Sequence, residues 1–213
     1  MIKKVFKENL IYIIIIISLI IVLSIIMRSS LHGKIIIFDN KVIEFVRDIL
    51  DSRLTSFFKL MTNSGALYIP IVILVCIFVF IKNKWYFCIE TVSYAFAGLV
   101  SYIAKLIVAR PRPLEALIKM PSTYSFPSGH TLTSLVFYCI LFYLLTIKSK
   151  RSVKIIGFIF SLSLICIVSV SRIYLGVHYF SDVLGGFIIG IPCVLIIVNT
   201  IEKNLKEKLL WED

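Results

Sequence analysis

A histidine, a carboxylate and an arginine are grouped within eleven residues of an otherwise apolar chain. His178 lies four residues before Asp182, which is the spacing of neighbouring side chains on one helix face. A carboxylate there can accept the Nδ1 proton of the imidazole, which leaves Nε2 free as a nucleophile. Arg172 offers a guanidinium fork for phosphate oxygens. An ion pair between Arg172 and Asp182 is the alternative, and it is less favoured because charge at a bilayer edge is costly.

A second group of polar residues forms the turn Pro127-Ser128-Gly129-His130, directly before an apolar run. Ser128 is a suitable N-cap, and Gly129 allows the backbone to approach a ligand closely. The free N–H groups at the start of a helix form a site for an anion. The turn therefore predicts an anion site with a second imidazole beside it.

A third group is basic and contains Lys105 and Arg112. In a continuous helix, residues seven apart lie near one face, two turns from each other. Pro111 and Pro113 are then expected to end that helix. Arg110 and Glu115 lie in the same segment and are assigned no role.

Together the three groups predict phosphoryl transfer. Cations and backbone N–H groups neutralise a phosphoryl group, one histidine attacks it, and the other protonates the leaving oxygen. The groups contain one carboxylate, whereas Mg²⁺ sites in phosphoryl-transfer enzymes use several oxygen ligands. We therefore expect no metal ion and no other cofactor.

The elements that must position these groups are transmembrane helices. Of the 213 residues 59% are hydrophobic, against about 45–50% in soluble domains, and the excess lies in long uncharged runs. The prediction is an all-α bundle of six transmembrane helices forming a single domain over residues 1–213. The spans are about Leu10–Met27, Ala66–Ile81, Trp85–Ala104, Thr131–Ile147, Ile155–Val170 and Val183–Ile201.

The loop Arg28–Gly65 is too long for a simple connector. Its apolar residues recur at helical spacing, which predicts one or two amphipathic helices at the membrane surface, with Asp39 or Asn40 as an N-cap. Capping of the bundle is favoured over a catalytic role for these helices.

The basic residues predict the orientation in a cytoplasmic membrane. Most fall on one side if the spans alternate, and that side should be cytoplasmic, with both termini on it. The three polar groups then face outward. The residues concerned are Lys3, Lys4, Lys7, Lys82, Lys84, Lys148, Lys150, Arg151, Lys154, Lys203, Lys206 and Lys208.

The net charge of +11 is explained by these loops, which meet anionic headgroups. A nucleic-acid partner is not expected, because no soluble domain remains to present a groove. The five cysteines all lie in apolar runs without a C-x-x-C spacing, so neither a disulfide framework nor a zinc site is predicted.

The three groups resemble the signature of the type 2 phosphatidic acid phosphatase family of membrane lipid phosphatases. That signature is Lys-x6-Arg-Pro, Pro-Ser-Gly-His and Ser-Arg-x5-His-x3-Asp, and all three parts occur here in order between residues 105 and 182. The resemblance implies a metal-independent enzyme in which His178 forms a phosphohistidine, Asp182 orients it, and His130 is the general acid and then the base. It also implies that the phosphate is held by Lys105, Arg112, Ser128, Gly129 and Arg172.

The substrate implied by the resemblance is a lipid phosphate whose tail stays in the bilayer. Undecaprenyl diphosphate is ranked first, because it is released in the outer leaflet, and phosphatidylglycerophosphate or phosphatidate second. A transporter of a phosphorylated solute is disfavoured, since its polar residues would lie near the midplane. A soluble vanadate-type haloperoxidase is disfavoured by the six apolar spans.

Overall fold

A computed structural model of the chain describes residues 2–28 and 31–211; Ser29 and Ser30, in the predicted outer loop, lie outside it. The described residues are mainly helical, and no strand occurs among them. The α-helices are α1 (Ile2–Arg28), α2 (Leu31–Asp48), α3 (Ser52–Thr62), α4 (Tyr68–Phe80), α5 (Trp85–Val108), α6 (Gly129–Thr146), α7 (Arg151–Tyr174), α8 (Phe180–Thr200) and α9 (Lys206–Trp211). A 3₁₀ turn, Asn63–Gly65, follows α3, and a π-helical turn, Ile201–Leu205, follows α8.

Within residues 2–28 and 31–211, five helices are long and apolar enough to cross a membrane: α1, α5, α6, α7 and the extended α8. Helix α6 forms the centre of the bundle and packs against α5, α7 and α8, while α1 packs against α8. The all-α fold and the multi-pass membrane architecture are therefore confirmed. Each of α5 to α8 has polar residues at the end where the signature motifs lie, which gathers those motifs at one end of the bundle.

The second predicted span differs from the helix that the structure has in that region. Helix α4 has only 13 residues and rises about 20 Å at 1.5 Å per residue, short of a hydrocarbon core of about 30 Å. The segment Ser52–Gly65 and α4 together pass the length and composition test, but they are bent by 50° at the break between them. The straight helix predicted over 66–81 is thus one half of a bent pair.

Polar contacts between α1 and α8 place the start of α1 and the end of α8 on one side of the bundle. The Asn9 side-chain amide donates to Oγ1 of Thr200 over 2.8 Å, and Asn199 donates to Oδ1 of Asn9 over 2.8 Å. Helix α1 is therefore antiparallel to α8. Because α5 starts on the side where α1 starts, the chain must return across the bundle between them, and the bent α3–α4 pair is the segment that does so.

The loop after α1 contains two helices, as predicted, but their boundaries are not those expected. Asp39 lies in the middle of α2 rather than at an N-cap, and its side chain is fully buried. The capping residue in this region is Asp51, whose carboxylate accepts from the backbone N–H groups of Arg53 and Leu54 at the start of α3. The burial of Asp39 shows that α2 contributes a charge to the interior.

Candidate active site

All eight residues predicted from the sequence lie at the same end of the bundle. Each comes from a helix end or from a loop joining two helices, so four successive elements converge there. The helix-end residues are Lys105 in the last turn of α5, Gly129 and His130 at the start of α6, Arg172 in the last turn of α7 and Asp182 in the first turn of α8; Arg112, Ser128 and His178 lie in the loops.

The pair predicted from the i, i+4 spacing is formed. His178 Nδ1 lies 3.3 Å from Asp182 Oδ2, and His178 Nε2 lies 3.2 Å from Nη1 of Arg112. An arginine can only donate and an ionised carboxylate can only accept, so these partners assign the proton to Nδ1 and the lone pair to Nε2. The lone pair points at the guanidinium of Arg112, which would also contact an incoming phosphate.

His178 is almost completely buried. Burial lowers the pKa of His178 to about 4, an effect that the nearby Asp182 carboxylate opposes and that Lys105 and Arg112 reinforce. The imidazole is therefore neutral at physiological pH, which is the state that a nucleophile requires.

Arg112 reaches His178 from a loop and not from a helix. Helix α5 ends at Val108, and Ala109 adopts a left-handed conformation with φ 52°, with its N–H donating to the Lys105 carbonyl. The expectation that Lys105 and Arg112 share a helix face is therefore wrong, since the helix stops before Pro111. Arg112 is held instead by the carbonyl oxygens of Thr123, Tyr124 and Val177.

Lys105 is buried beside the turn that leads into α6. Its Nζ donates to the carbonyl oxygens of Tyr124, Ser125 and Pro127, over 2.6, 3.1 and 2.8 Å. A Cβ added to Gly129 would lie 3.3 Å from Oγ of Ser101 and at an ordinary contact distance, 3.7 Å, from Cε of Lys105. The ammonium group thus fixes the loop and places a positive charge beside the first turn of α6.

Ser128 is the N-cap of α6, as predicted, and its Oγ accepts from the backbone N–H and the hydroxyl of Thr131. Its own N–H donates to the Asp182 carbonyl over 2.9 Å, which ties the turn to α8. This approach needs Gly186, because a Cβ there would lie 3.0 Å from the Ser128 carbonyl oxygen. The anion-binding turn and the carboxylate are therefore joined through the backbone.

The bend between α3 and α4 contacts two site residues. Nη1 of Arg172 donates to Oγ1 of Thr62 over 2.5 Å, and Nε of Arg172 is buried with no partner among the described residues. A Cβ on Gly65 would meet Val168 and lie 3.2 Å from Cδ2 of His130. The first loop therefore contacts two residues of the candidate site in addition to covering the bundle.

Arg110, which was assigned no role, is the cation paired with Asp182. Its Nη1 lies 2.6 Å from Oδ1 of Asp182 and its Nη2 lies 2.8 Å from Oδ2 of Asp39, with all three side chains buried. The ion pair considered between Arg172 and Asp182 is thus formed by Arg110 instead. A signal was present in the sequence, because in the predicted orientation Arg110 is a cation on the side where the positive-inside rule expects few.

The site has the components of phosphoryl chemistry without a cluster of metal ligands. No group of three or more His, Cys, Asp or Glu side chains in residues 2–28 and 31–211 is arranged to hold a metal ion. The positive charges of Arg172, Lys105 and Arg112 all act on His130. An oxyanion in this cluster would be stabilised by fixed cations and by the first turn of α6.

The chain is similar in sequence to known proteins. The PAP2 superfamily model matches residues 86–206. A phosphatidylglycerophosphatase B of Bacillus subtilis (strain 168) is 30% identical over 152 residues, which cover 67% of this chain and 73% of that protein. An undecaprenyl-diphosphatase of Sulfolobus acidocaldarius is 29% identical over 136 residues, which cover 61% of this chain and 62% of that protein.

Two solved structures share the fold. The crystal structure of a transmembrane PAP2-type phosphatidylglycerolphosphate phosphatase from Bacillus subtilis has a TM-score of 0.77 and 24% identity, over 89% of this chain and 97% of that one. The crystal structure of Aquifex aeolicus LpxE has a TM-score of 0.56 and 25% identity, over 74% of this chain and 93% of that one.

Proposed function

Because this chain belongs to the PAP2 superfamily and is a membrane lipid phosphatase, we propose that it removes the terminal phosphate of a polyprenyl diphosphate at the outer face of a cytoplasmic membrane. The observation that carries the chemistry is the neutral His178, whose Nδ1 faces Asp182 and whose Nε2 faces the cation Arg112. The nucleophilic nitrogen Nε2 thus lies directly beside a cation that can bind phosphate.

In the first step Nε2 of His178 attacks the terminal phosphorus while the bond from that phosphorus to the bridging oxygen breaks, so that the lipid monophosphate is the leaving group. His130 gives its proton to that oxygen, and Lys105, Arg112 and Arg172 stabilise the charge on the phosphoryl oxygens. The imidazole ring becomes positive as the nitrogen–phosphorus bond forms. Asp182 stabilises that charge and keeps the proton on Nδ1.

In the second step a water molecule attacks the phosphohistidine. His130, now neutral, takes a proton from the water, the nitrogen–phosphorus bond breaks, and inorganic phosphate leaves. His178 returns to its neutral state. Ser128 and the N–H of Gly129 hold the phosphate at the start of α6 in both steps. Every proton in this scheme is carried by a side chain or by water, so no metal ion is required.

Two lipids remain as candidates, and each is favoured by a different observation. Undecaprenyl diphosphate is the substrate in the name of the Sulfolobus relative, and it suits a site that faces the outer leaflet. Phosphatidylglycerophosphate is named by the Bacillus relative, which matches more of this chain. Both present a terminal phosphate at the bilayer edge while the apolar tail stays in hydrocarbon.

A competition assay at equal surface concentration in mixed micelles tests the substrate. We expect kcat/KM for undecaprenyl diphosphate to exceed that for phosphatidylglycerophosphate, and phosphate release to persist in excess EDTA. A preference of tenfold or more for phosphatidylglycerophosphate, about 1.4 kcal/mol in the transition state, would reverse the order of the two lipids. Loss of activity in EDTA with recovery in Mg²⁺ would contradict the metal-free mechanism.

The orientation rests on the basic residues that lie at the end of the bundle opposite the site. Lys148 and Lys150 lie between α6 and α7, and Arg151 opens α7. The start of α1 and the end of α8 lie on the same side as these residues. Short basic loops remain in the cytoplasm. The proposal is therefore that both termini are cytoplasmic and that the site faces outward.

Thiol labelling on intact cells tests this orientation. In a background without the five native cysteines, a cysteine at Ser122 should react with an impermeant reagent, and one at Ser149 should react only after lysis. Ser122 is exposed and belongs to the loop before α6; its neighbour Thr123 is avoided because it binds Arg112. Labelling of Ser149→Cys but not of Ser122→Cys on intact cells would invert the orientation.

A further inference from the structure

A buried arginine at a variable position of the first signature motif is shared between two carboxylates. Arg110 donates through Nη1 to Asp182 and to the hydroxyl of Ser181, and through Nη2 to Asp39. The ring of Tyr179 lies over the guanidinium, 4.0 Å from its Cζ. A guanidinium held on two sides and across its face has little freedom to rotate.

The two oxygens of Asp182 have separate partners. Oδ1 accepts from Arg110 over 2.6 Å, while Oδ2 accepts from the N–H of Tyr179 over 3.0 Å and faces Nδ1 of His178 over 3.3 Å. The bond to Arg110 sets the rotation of the carboxylate, so that Oδ2 and not Oδ1 is presented to the imidazole. The direction of the Nδ1–H bond in turn sets where Nε2 points.

Asp39 gives the group its charge balance. Its carboxylate accepts from Arg110, and also from the N–H and the hydroxyl of Ser181 over 3.0 and 2.5 Å. Two carboxylates and one guanidinium leave a net charge of about −1 in a buried place. The positive charge of Arg110 is therefore shared between the carboxylates of Asp39 and Asp182. Asp182 is only partly neutralised and can still stabilise a positive charge on His178.

We propose that Arg110 and Asp39 are positioning residues for the reaction: Arg110 orients the Asp182 carboxylate, and Asp39 limits how far Arg110 neutralises it. The inference rests on the proposed function, since it needs His178 as the nucleophile. Arg110 has both of its terminal nitrogens engaged by carboxylates, so it acts through Asp182 and not on the phosphate. Helix α2 thereby contributes to the reaction from outside the transmembrane helices.

The two residues should have opposite electrostatic effects on His178. Without Arg110 the charge of Asp182 is less compensated, which favours protonated His178; without Asp39 the charge of Arg110 acts more fully on Asp182, which favours neutral His178. The other groups around His178 are Lys105, Arg112 and, at the start of α6, His130. None of these is altered in either variant.

The test compares Arg110→Gln and Asp39→Asn with the wild-type enzyme in detergent, using the lipid phosphate that it hydrolyses fastest. Arg110→Gln should lower kcat by about 10²-fold, the scale of a small misplacement of a reacting group, and Asp39→Asn by about tenfold. In both, KM should stay within about threefold, because no phosphate contact is lost.

The pH dependence separates positioning from a structural role. The ratio of variant to wild-type kcat/KM cancels the ionisation of the substrate. Between pH 7 and pH 4 this ratio should fall for Arg110→Gln and rise for Asp39→Asn. A general loss of structure would change both ratios in the same direction.

Matched controls come from an exposed ion pair that joins the same two segments. Arg47 of α2 lies 2.7 Å from Glu115, with both side chains more than half exposed. Arg47→Gln and Glu115→Gln should change kcat by less than about twofold, because exposed pairs contribute little. If Arg110→Gln does not fold, Arg110→Lys tests the orientation of Asp182 alone, because lysine keeps the charge but not the two directed bonds of the guanidinium. It should lower kcat with a flat pH ratio, while the rise of the ratio in Asp39→Asn still tests the charge balance.

Three results would overturn the inference. They are a kcat within twofold of wild type in both variants, a pH ratio that is flat or moves in the same direction in both, and a tenfold rise in KM at unchanged kcat, which would make Arg110 a phosphate ligand. In each case the wild type would still be active and His178→Ala inactive. Failure of the proposed function would appear instead as an unreactive wild type or an active His178→Ala.

Discussion

Replacing His178 with alanine is expected to lower kcat by at least about 10³-fold, the scale seen when a catalytic nucleophile is removed. No other described side chain meets both Asp182 and Arg112 from one ring, with one nitrogen bonded to each. In the variant, water could still attack the bound phosphate directly, but no covalent intermediate would form. The remaining activity would come only from stabilisation of the phosphate by the fixed cations.

The measurement is phosphate release from purified protein over a panel of lipid monophosphates and diphosphates. His32→Ala is the matched control, because His32 lies outside the three motifs. A tenth of the normal turnover remaining in His178→Ala on every lipid would exclude the phosphohistidine mechanism. The pH dependence gives a second check: burial lowers the pKa of His178 to about 4, so between pH 8 and pH 6 protonation of this ring should cause no loss of kcat/KM.

Arg172→Lys is expected to lower kcat/KM by about 10²- to 10³-fold, although the charge is kept. Arg172 binds Thr62 through Nη1, while its Nε is buried and has no partner in the described part of the chain. A buried N–H without a partner is costly, and a phosphate oxygen would satisfy it. Lysine has a single ammonium on a flexible stem and cannot reproduce the two directed bonds of a guanidinium.

The control is the same substitution at the other end of the same helix. Arg151 opens α7 on the opposite side of the bundle and is exposed, so Arg151→Lys should leave kcat/KM within about twofold. If Arg172→Lys keeps a third or more of the wild-type kcat/KM, the guanidinium does not contact the phosphoryl group in the transition state. A large loss in Arg172→Lys with a normal Arg151→Lys would assign the effect to the site.

The long apolar helices could be predicted because their composition alone distinguishes them. The apolar runs of α1 and α7 are long enough to cross the hydrocarbon core of a bilayer, and this can be recognised without knowledge of tertiary contacts. The bend between α3 and α4 could not be predicted in this way. At that bend Gly65 packs so closely against Val168, about a hundred residues later, that a Cβ would clash with it. The hydropathy of the sequence does not indicate that contact.

Contacts in the site could be predicted between residues that are close in the sequence, but not between residues that are far apart in it. His178 and Asp182 are four residues apart, so their pairing follows from local geometry. Arg110 meets Asp39 and Asp182 across 71 and 72 residues. An aspartate before an apolar pattern is as consistent with an N-cap as with a buried partner, and only the packing of α2 decides between them at Asp39.

The contacts of Asp39 and Thr62 bear on how this enzyme can be exchanged with its relatives. The superfamily model matches residues 86–206, yet Arg110 and Arg172 within that stretch each bind a side chain before it. A chimera that transplants residues 86–206 onto the first 85 residues of another member would separate both arginines from the side chains that they bind in this chain. The unit of recombination is therefore the stretch from α2 to α8, and hybrids joined near Trp85 should retain less activity than hybrids joined before Leu31.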